Sequence, residues 1–322
     1  MIETDDSNGR RTRLACSIQS NPNPFNAEVK YLPLLARSFS PIVMNSLIDD
    51  GRSSYLADVL EGCGMIRELD LTMKLSQFLE HLYHLIAKFY RNEYVYKNAI
   101  VNKILLGKYS LNTSSILTEF RIGDRKADVV ILNGTSIAYE IKTECDSFDR
   151  LKDQLSAYAR AFDRVNVITS NSQLTSLEKF LPAEIGVLEL TSDYTIRTVR
   201  GGQSLKARVS PEFIFNSLRK PEYLGIVESV YGYVPNVPNT HIYKSCLELF
   251  SKLSPEVAHD LMVQVLRRRG NKELLEELIF SVPSSLRAYV SSGHLTCEQS
   301  KRLKDLLDSQ LGKVLQVNTR RN

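Results

Sequence analysis

Ala127-Asp128-Val129-Val130-Ile131-Leu132, the turn pair Asn133-Gly134, and Ser136-Ile137-Ala138-Tyr139-Glu140-Ile141-Lys142 set two carboxylates and a lysine into an otherwise apolar hairpin. Charges in a sheet core are costly unless they are paired or bound to a metal, so these three groups are expected to share one site. Asn-Gly between two β-branched runs signals a tight hairpin, with both residues suited to positive φ. Along the second strand Ile137, Tyr139 and Ile141 face one side, while Ser136, Ala138, Glu140 and Lys142 face the other. The first strand does not alternate, which predicts burial on both faces. Antiparallel pairing through the turn carries Asp128 toward the far end of the second strand, within reach of Glu140 and Lys142.

That convergence allows a narrow range of chemistry. Two carboxylates a few ångströms apart repel each other, and a divalent cation reconciles them at neutral pH; all-oxygen ligation with open water positions suits Mg²⁺, with Mn²⁺ as a substitute. Such an ion lowers the pKa of a bound water and stabilises charge on a phosphate, and a neighbouring lysine assists. The pattern points to phosphodiester hydrolysis.

Asp128 followed by Glu140-Ile141-Lys142 resembles the signature of the PD-(D/E)XK nuclease superfamily. The resemblance implies a restriction-endonuclease-like α/β core, a mixed sheet flanked by helices. Its order of helix, three strands, helix and strand can be followed from 92 to 169. By that resemblance Asp128 and Glu140 are metal ligands, the Ile141 carbonyl is a backbone ligand, and Lys142 is the catalytic lysine. Glu119, in Ile116-Leu117-Thr118-Glu119-Phe120, is similar to an acidic residue on the first strand, and Glu93 matches a further carboxylate that some members carry on the preceding helix. Gln154 matches a glutamine that points into the site from the helix after the lysine strand, and Tyr158 lies one helical turn beyond it. The run from Glu119 to Thr169 also resembles a bacterial subfamily of uncharacterised proteins. An Asp with a suitably placed Glu-x-Lys recurs by chance in roughly a third of chains this long. The hairpin, the polar strand face and the following helix and strand carry the weight.

The rest of the 322 residues, with 43% hydrophobic and 24% charged side chains, suits a substantial core. Residues 1–24 read as a flexible N-terminus, 25–91 as a helical region, 92–200 as the nuclease-like core, 201–240 as a linker, 241–312 as a helical C-terminal region, and 313–322 as a basic tail. Helical spacing recurs in Leu79, Leu82, Leu85 and Ile86; strands are expected at 164–169, 186–190 and 194–199, and a helix at 174–181. Asp146 is expected to cap a helix beginning near Ser147, and Ser254-Pro255-Glu256 to open one that Gly270 ends after three arginines. Thr296 with Gln299 forms a capping box for a helix running through Leu311.

No signal-like pattern or membrane-length apolar run occurs, so a cytoplasmic protein with no membrane partner is expected. The five cysteines (Cys16, Cys63, Cys145, Cys246 and Cys297) are scattered without a Cys-x-x-Cys pair and read as free thiols in a reducing compartment. Cys145 lacks a histidine base in sequence, and His81 with His84 lack a third ligand, so both read as structural. The formal charge of +4 is mild. Basic clusters at 10–13, 197–200, 267–269 and 319–321 are candidate phosphate contacts. No phosphate-binding loop of the P-loop type is present.

The expected function is therefore a Mg²⁺-dependent nuclease acting on nucleic acid, DNA in preference to RNA because most similar superfamily members cut DNA. The setting that the resemblance implies is defence against foreign (phage) DNA or maintenance of mobile elements, with a homodimer or partner protein engaged through the helical regions. The alternatives are a nuclease fold that binds nucleic acid or regulates without cutting, and an interaction protein in which the charged hairpin is incidental.

Overall fold

The computed structural model describes residues 29–269, 272–293 and 295–316. Helices α1 (Leu32–Arg37), α2 (Pro41–Asp50), α3 (Ser54–Gly62), α4 (Leu75–Phe89) and α5 (Glu93–Ala99) come first; α5 runs on through a π-helical turn, Ile100–Leu105, into the short α6 (Leu106–Lys108). The sheet follows: β1 (Ser115–Ile122), β2 (Arg125–Leu132), β3 (Ser136–Ile141), α7 (Leu151–Ala159), β4 (Arg164–Thr169), α8 (Asn171–Phe180), β5 (Gly186–Leu190) and β6 (Ile196–Arg200). Ten further helical segments and turns close the chain, among them α9 (Pro211–Phe215), α10 (Lys220–Tyr231), α11 (Asn239–Phe250), α12 (Pro255–Leu266), α13 (Lys272–Ser281), α14 (Arg287–Ser291), α15 (Cys297–Leu307) and α16 (Leu311–Val314).

The six strands lie side by side in chain order. β1, β2 and β3 form an antiparallel meander, β3, β4 and β5 run parallel through the crossovers α7 and α8, and β6 returns antiparallel. The sheet divides two cores. Val129, Ile131, Ile137, Tyr139, Ile141 and Ile168 pack against α1–α5 and α13–α16. Val130, Leu132, Ala138, Val165 and Val167 pack against α7, α8 and α9–α12. Val129 to Leu132 are completely buried, as the unbroken apolar run requires. The mixed α/β architecture with helical flanks thus agrees with the sequence.

Three expectations change. The β2–β3 connection is a three-residue loop, because Leu132 pairs with Ser136; only Gly134 takes positive φ (65°) and Asn133 does not. Residues 201–240 are not a bare linker, because α9 and α10 lie there and bury Ile214, Phe215, Tyr223 and Ile226 in the second core. The C-terminal region 241–312, expected as a single helical region, divides between the two layers. α11 and α12 stay on the α7–α8 side, whereas α13–α16 cross to the N-terminal helices. There Glu80 accepts from the Ser284 hydroxyl at 2.6 Å and from the Ser285 amide at 3.0 Å, and the Leu75 amide donates to the Ser309 carbonyl at 2.9 Å.

Among the described residues no helix is long and apolar enough to cross a membrane. The expectations for 1–24, Gly270 and the basic runs at 10–13 and 319–321 lie outside those residues.

Candidate metal and active site

The paired registers bring the acids into one row. Thr118 pairs with Val129 and Phe120 with Ala127, so Glu119 stands opposite Asp128; extending the Val129–Tyr139 pairing by one residue sets Asp128 opposite Glu140. The pleat slips at this row. On β1, Leu117 lies on the α7 side, yet Phe120 and Ile122 lie there too; on β2, Ala127 shares that side with Val130 and Leu132. Strict alternation would put Phe120 and Ala127 on the opposite face. Glu119 absorbs the slip with φ of 53°, a conformation uncommon for a residue with a side chain and one that clusters at functional sites. The two residues at the slip are thus committed to neither apolar layer.

Asp128 is held by the Ile141 amide, which donates to its Oδ2 at 2.7 Å. Burial, then the Glu140 and Glu93 carboxylates, push Asp128 up to about 8, so without a cation it holds its proton at neutral pH. Glu140 is almost fully buried at 1% exposure. Its Oε1 lies 3.0 Å from Lys142 Nζ, and the Tyr158 hydroxyl lies 2.9 Å from its Oε2. Burial raises the Glu140 carboxyl above the usual range despite Lys142 and Tyr158, which favour the anion. The Tyr158 hydroxyl also reaches the Lys126 carbonyl at 2.7 Å. One proton cannot satisfy both acceptors, whereas a protonated Glu140 can donate to Tyr158 while Tyr158 donates to the carbonyl.

Helix α7 supplies the wall over Glu140. Leu151, Leu155 and Tyr158 bury its apolar face, which turns Gln154 and Tyr158, four residues apart, toward β3. Lys142 donates to Gln154 Oε1 at 3.1 Å. Asp146 does not cap α7: Arg150 is the cap, and Asp146 instead accepts from the amide and hydroxyl of Thr143, each at 2.8 Å.

Helix α5 supplies the other wall. Asn92 caps it through the Val95 amide, which places Glu93 in the first turn and Lys97 one turn later. Lys97 Nζ lies 2.6 Å from Glu93 Oε1 and also bonds Glu119 Oε1, while Lys126 approaches the other Glu119 oxygen at 2.5 Å. Burial works against ionisation of Glu119, but Lys126 and Lys97 outweigh it and lower its pKa. Glu93, Glu119 and Asp128 each present an oxygen within 4.8 Å of the others. Oxygens bound to one Mg²⁺ lie ~3 Å apart when adjacent and ~4.2 Å when opposite, so small side-chain rotations suffice. The donor set is hard oxygen throughout, and the site fits Mg²⁺ or Mn²⁺.

The structure therefore brings together Glu93, Glu119, Asp128, Glu140, Ile141, Lys142, Gln154 and Tyr158. Sequence reasoning missed Lys97 and Lys126. The Glu93–Lys97 spacing was a visible helical pair, but its link to Glu119 on β1 is tertiary. His81 and His84 do not join this group; His84 lies 3.7 Å from Glu80. Cys63, Cys145, Cys246 and Cys297 are free of disulfides.

A cleft of about 1800 Å³ opens next to Glu93, between the α4–α5 junction and the carboxyl ends of β3, β4 and β5. Arg91 spans one side of it and is used structurally, donating to the carbonyls of Leu190, Thr191 and Ser192 at 2.8–3.0 Å. The basic clusters of the described chain are partly used in the same way. Arg197 pairs with Glu189, Arg200 bonds the carbonyls of Ile185 and Pro182, and Arg269 grips Glu222 with two 2.6 Å bonds.

A second polar cluster sits at the opposite end of β3. The Asp163 amide donates to Ser136 Oγ at 3.0 Å, Ser136 lies 2.8 Å from His259 Nε2, and His259 Nδ1 lies 3.1 Å from Asp260 Oδ1. One assignment satisfies every group: the serine hydroxyl donates to Nε2, and Nδ1–H donates to Asp260. The order Ser-His-Asp is that of a hydrolase triad, yet Ser136 and His259 are both 0% exposed, so no substrate reaches them.

The family model described as Bacteriophage P4 protein cII matches residues 87–284, more than half of the chain, including the whole sheet and every site residue above. Over 173 residues the chain is 27% identical to Protein cII of Enterobacteria phage P4, covering 51% of this chain and 63% of that protein. The chain thus spans just under two thirds of the length of this relative. Among solved structures, the SPO1766 protein of unknown function from Silicibacter pomeroyi aligns at 23% identity with a TM-score of 0.25, covering 29% of this chain and 62% of that one. By the extent of the family match, this chain belongs to the bacteriophage P4 protein cII family.

Proposed function

We propose that the chain is a metal-dependent nuclease with a PD-(D/E)XK-type site on a restriction-endonuclease-like core, hydrolysing phosphodiester bonds in DNA. The observation that carries the reading is the row Glu119–Asp128–Glu140 across three strands, with Lys142 Nζ 3.0 Å from Glu140. Asp128 and Glu140 would hold Mg²⁺ or Mn²⁺, with Glu119, Glu93 and the Ile141 carbonyl as further ligands; of these carboxylates Glu93, Glu119 and Asp128 are the three that already gather within 4.8 Å, and the ion would draw Glu140 in from its contacts with Lys142 and Tyr158. When bound, the ion supplies an acidified water and neutralises charge on the scissile phosphate. Lys142 keeps a positive charge fixed beside Glu140, where it helps to orient the attacking water and offsets negative charge in the transition state. Gln154 holds the lysine in that position, and Tyr158 fixes the second Glu140 oxygen.

Purified protein and its Lys142→Ala variant, incubated with linear and circular DNA with and without Mn²⁺, test this directly. Mn²⁺-dependent cleavage that disappears in the variant is the expected result. A preparation that binds DNA yet leaves it intact in Mn²⁺ would favour the second reading, a nuclease fold that binds nucleic acid or regulates without cutting. The neutralisation of acids by Lys97, Lys126 and Lys142 supports that alternative, because the group is held together by the protein's own cations. A cytoplasmic setting, with the helical layers contacting a second copy or a partner protein, accompanies either reading. The phage origin of the relative favours mobile-element maintenance over host defence.

A further inference from the structure

We infer that the Lys97 ammonium is the resident cation of the Glu93–Glu119–Asp128 group, and that a divalent ion enters this group only by displacing it. The inference rests on the metal reading above. Lys97 projects from α5 one turn after Glu93 and has a side chain only 16% exposed. Its Nζ contacts Glu93 Oε1 at 2.6 Å and also bonds Glu119 Oε1. Those two residues and Asp128 are the three whose oxygens gather within 4.8 Å. An ion bound at ~2.1 Å from carboxylate oxygens needs the same space and the same lone pairs, and it repels an ammonium left beside it.

The other two lysines differ. Lys126 is 56% exposed and touches the outer oxygen of Glu119, so it can swing into water without opening the group. Lys142 is held by Glu140 and Gln154 on the α7 side of the row. Lys97 is buried on its stem and is shared between two of the three acids. It therefore keeps the acids assembled when no metal is present, and it weakens the site for metal by the work of its removal.

The test is Mn²⁺ binding to the full chain, followed by the loss of the free-ion paramagnetic signal, for wild type, Lys97→Met and Lys97→Arg. Lys97→Met is expected to tighten binding at least about tenfold, the scale of one unit charge at contact distance in a partly screened site. Lys97→Arg keeps the charge and stays within about threefold of wild type. In wild type, acetylation of Lys97 by an amine-reactive reagent, read by mass spectrometry, should rise at saturating Mn²⁺ as the ammonium leaves its carboxylates; this measurement decides the matter if Lys97→Met does not fold. Equal or weaker binding by folded Lys97→Met, or unchanged Lys97 labelling on saturation, overturns displacement while leaving the metal site standing. Absence of Mn²⁺ binding in both wild type and Lys97→Met overturns the metal reading together with this inference.

Discussion

The two ends of strand β3 carry buried polar clusters of opposite character. At the Ser136 end, donors and acceptors match one for one from the Asp163 amide to Asp260, and the exposed Asp260 pairs with Lys206 at 2.6 Å. At the Glu140 end, four carboxylates (Glu93, Glu119, Asp128 and Glu140) meet three lysines (Lys97, Lys126 and Lys142), and Asp128 is left with a pKa near 8. A network with nothing left over rigidifies a fold. A carboxyl without a cation of its own, kept neutral by a retained proton in a partly buried place, is where a metal ion can take that proton's place. The serine, histidine and aspartate thus look catalytic by residue type and are structural by geometry, while the acids on the sheet row keep a geometry that a cation can enter.

Substitutions can break or sharpen that contrast. The largest effect is expected for Lys142→Ala, which should lower Mn²⁺-dependent cleavage by about a thousandfold, or ~4 kcal/mol, measured as initial rates on supercoiled DNA, while leaving the folded spectrum unchanged. At the other end, His259→Ala should cost ~2–4 kcal/mol in urea unfolding, because it opens a cavity and orphans the Ser136 hydroxyl, yet Mn²⁺ affinity should stay as it was. A loss of metal binding in that variant would erase the distinction between the two ends.

Asp128→Asn acts next. The folded-state pKa of Asp128 lies above its unfolded value of 3.8, so the folded protein keeps a proton that the unfolded chain has released between about pH 4 and pH 8. Stability in chelator should therefore fall as pH rises through that window and level off above it. Asn removes the penalty. The variant should melt a few degrees higher than wild type at pH 8 in chelator, by roughly 2–4 °C per kcal/mol, with a smaller gain near pH 4 and no further stabilisation by Mg²⁺. The smallest effect is expected for Tyr158→Phe. Loss of the hydroxyl should cost ~1 kcal/mol in unfolding, and a larger reduction in cleavage than in stability would mark Tyr158 as part of the chemistry.

Much of this site was legible in the chain because period-two alternation and the hairpin punctuation are local. β4 and β5 begin and end at 164–169 and 186–190, the stretches whose composition reads as strand, and Glu140 shares a face with Ala138 as the spacing requires. The four-residue step from Gln154 to Tyr158 likewise placed both over β3. What could not be read depends on tertiary choices. Nothing in Leu117-Thr118-Glu119-Phe120 announces a pleat that slips at an acid with positive φ. Lys97 is an ordinary helical partner of Glu93 until β1 arrives beside it. Asp146 had a capping residue's identity, but the nearer Thr143 took its oxygen before a helix could. His259 gave no signal because its partner Ser136 lies 123 residues away.

The crossing of α13–α16 back to the N-terminal helices also bears on how the molecule is made. Glu80 waits for Ser284 across 204 residues, and Lys74 for Asp308 across 234. Leu79, Leu82 and Ile86 of α4 share one core with residues of α13–α16, so that core can be completed only once the last helices have been made, whereas the core on the α7–α12 side of the sheet does not require them. Such distant pairings make for slow, late consolidation and a nascent chain with exposed apolar surface. The helical layer that bears Glu93 and Lys97 is therefore expected to set last, so the acidic row acquires its outer wall only after the ribosome has delivered the closing helices.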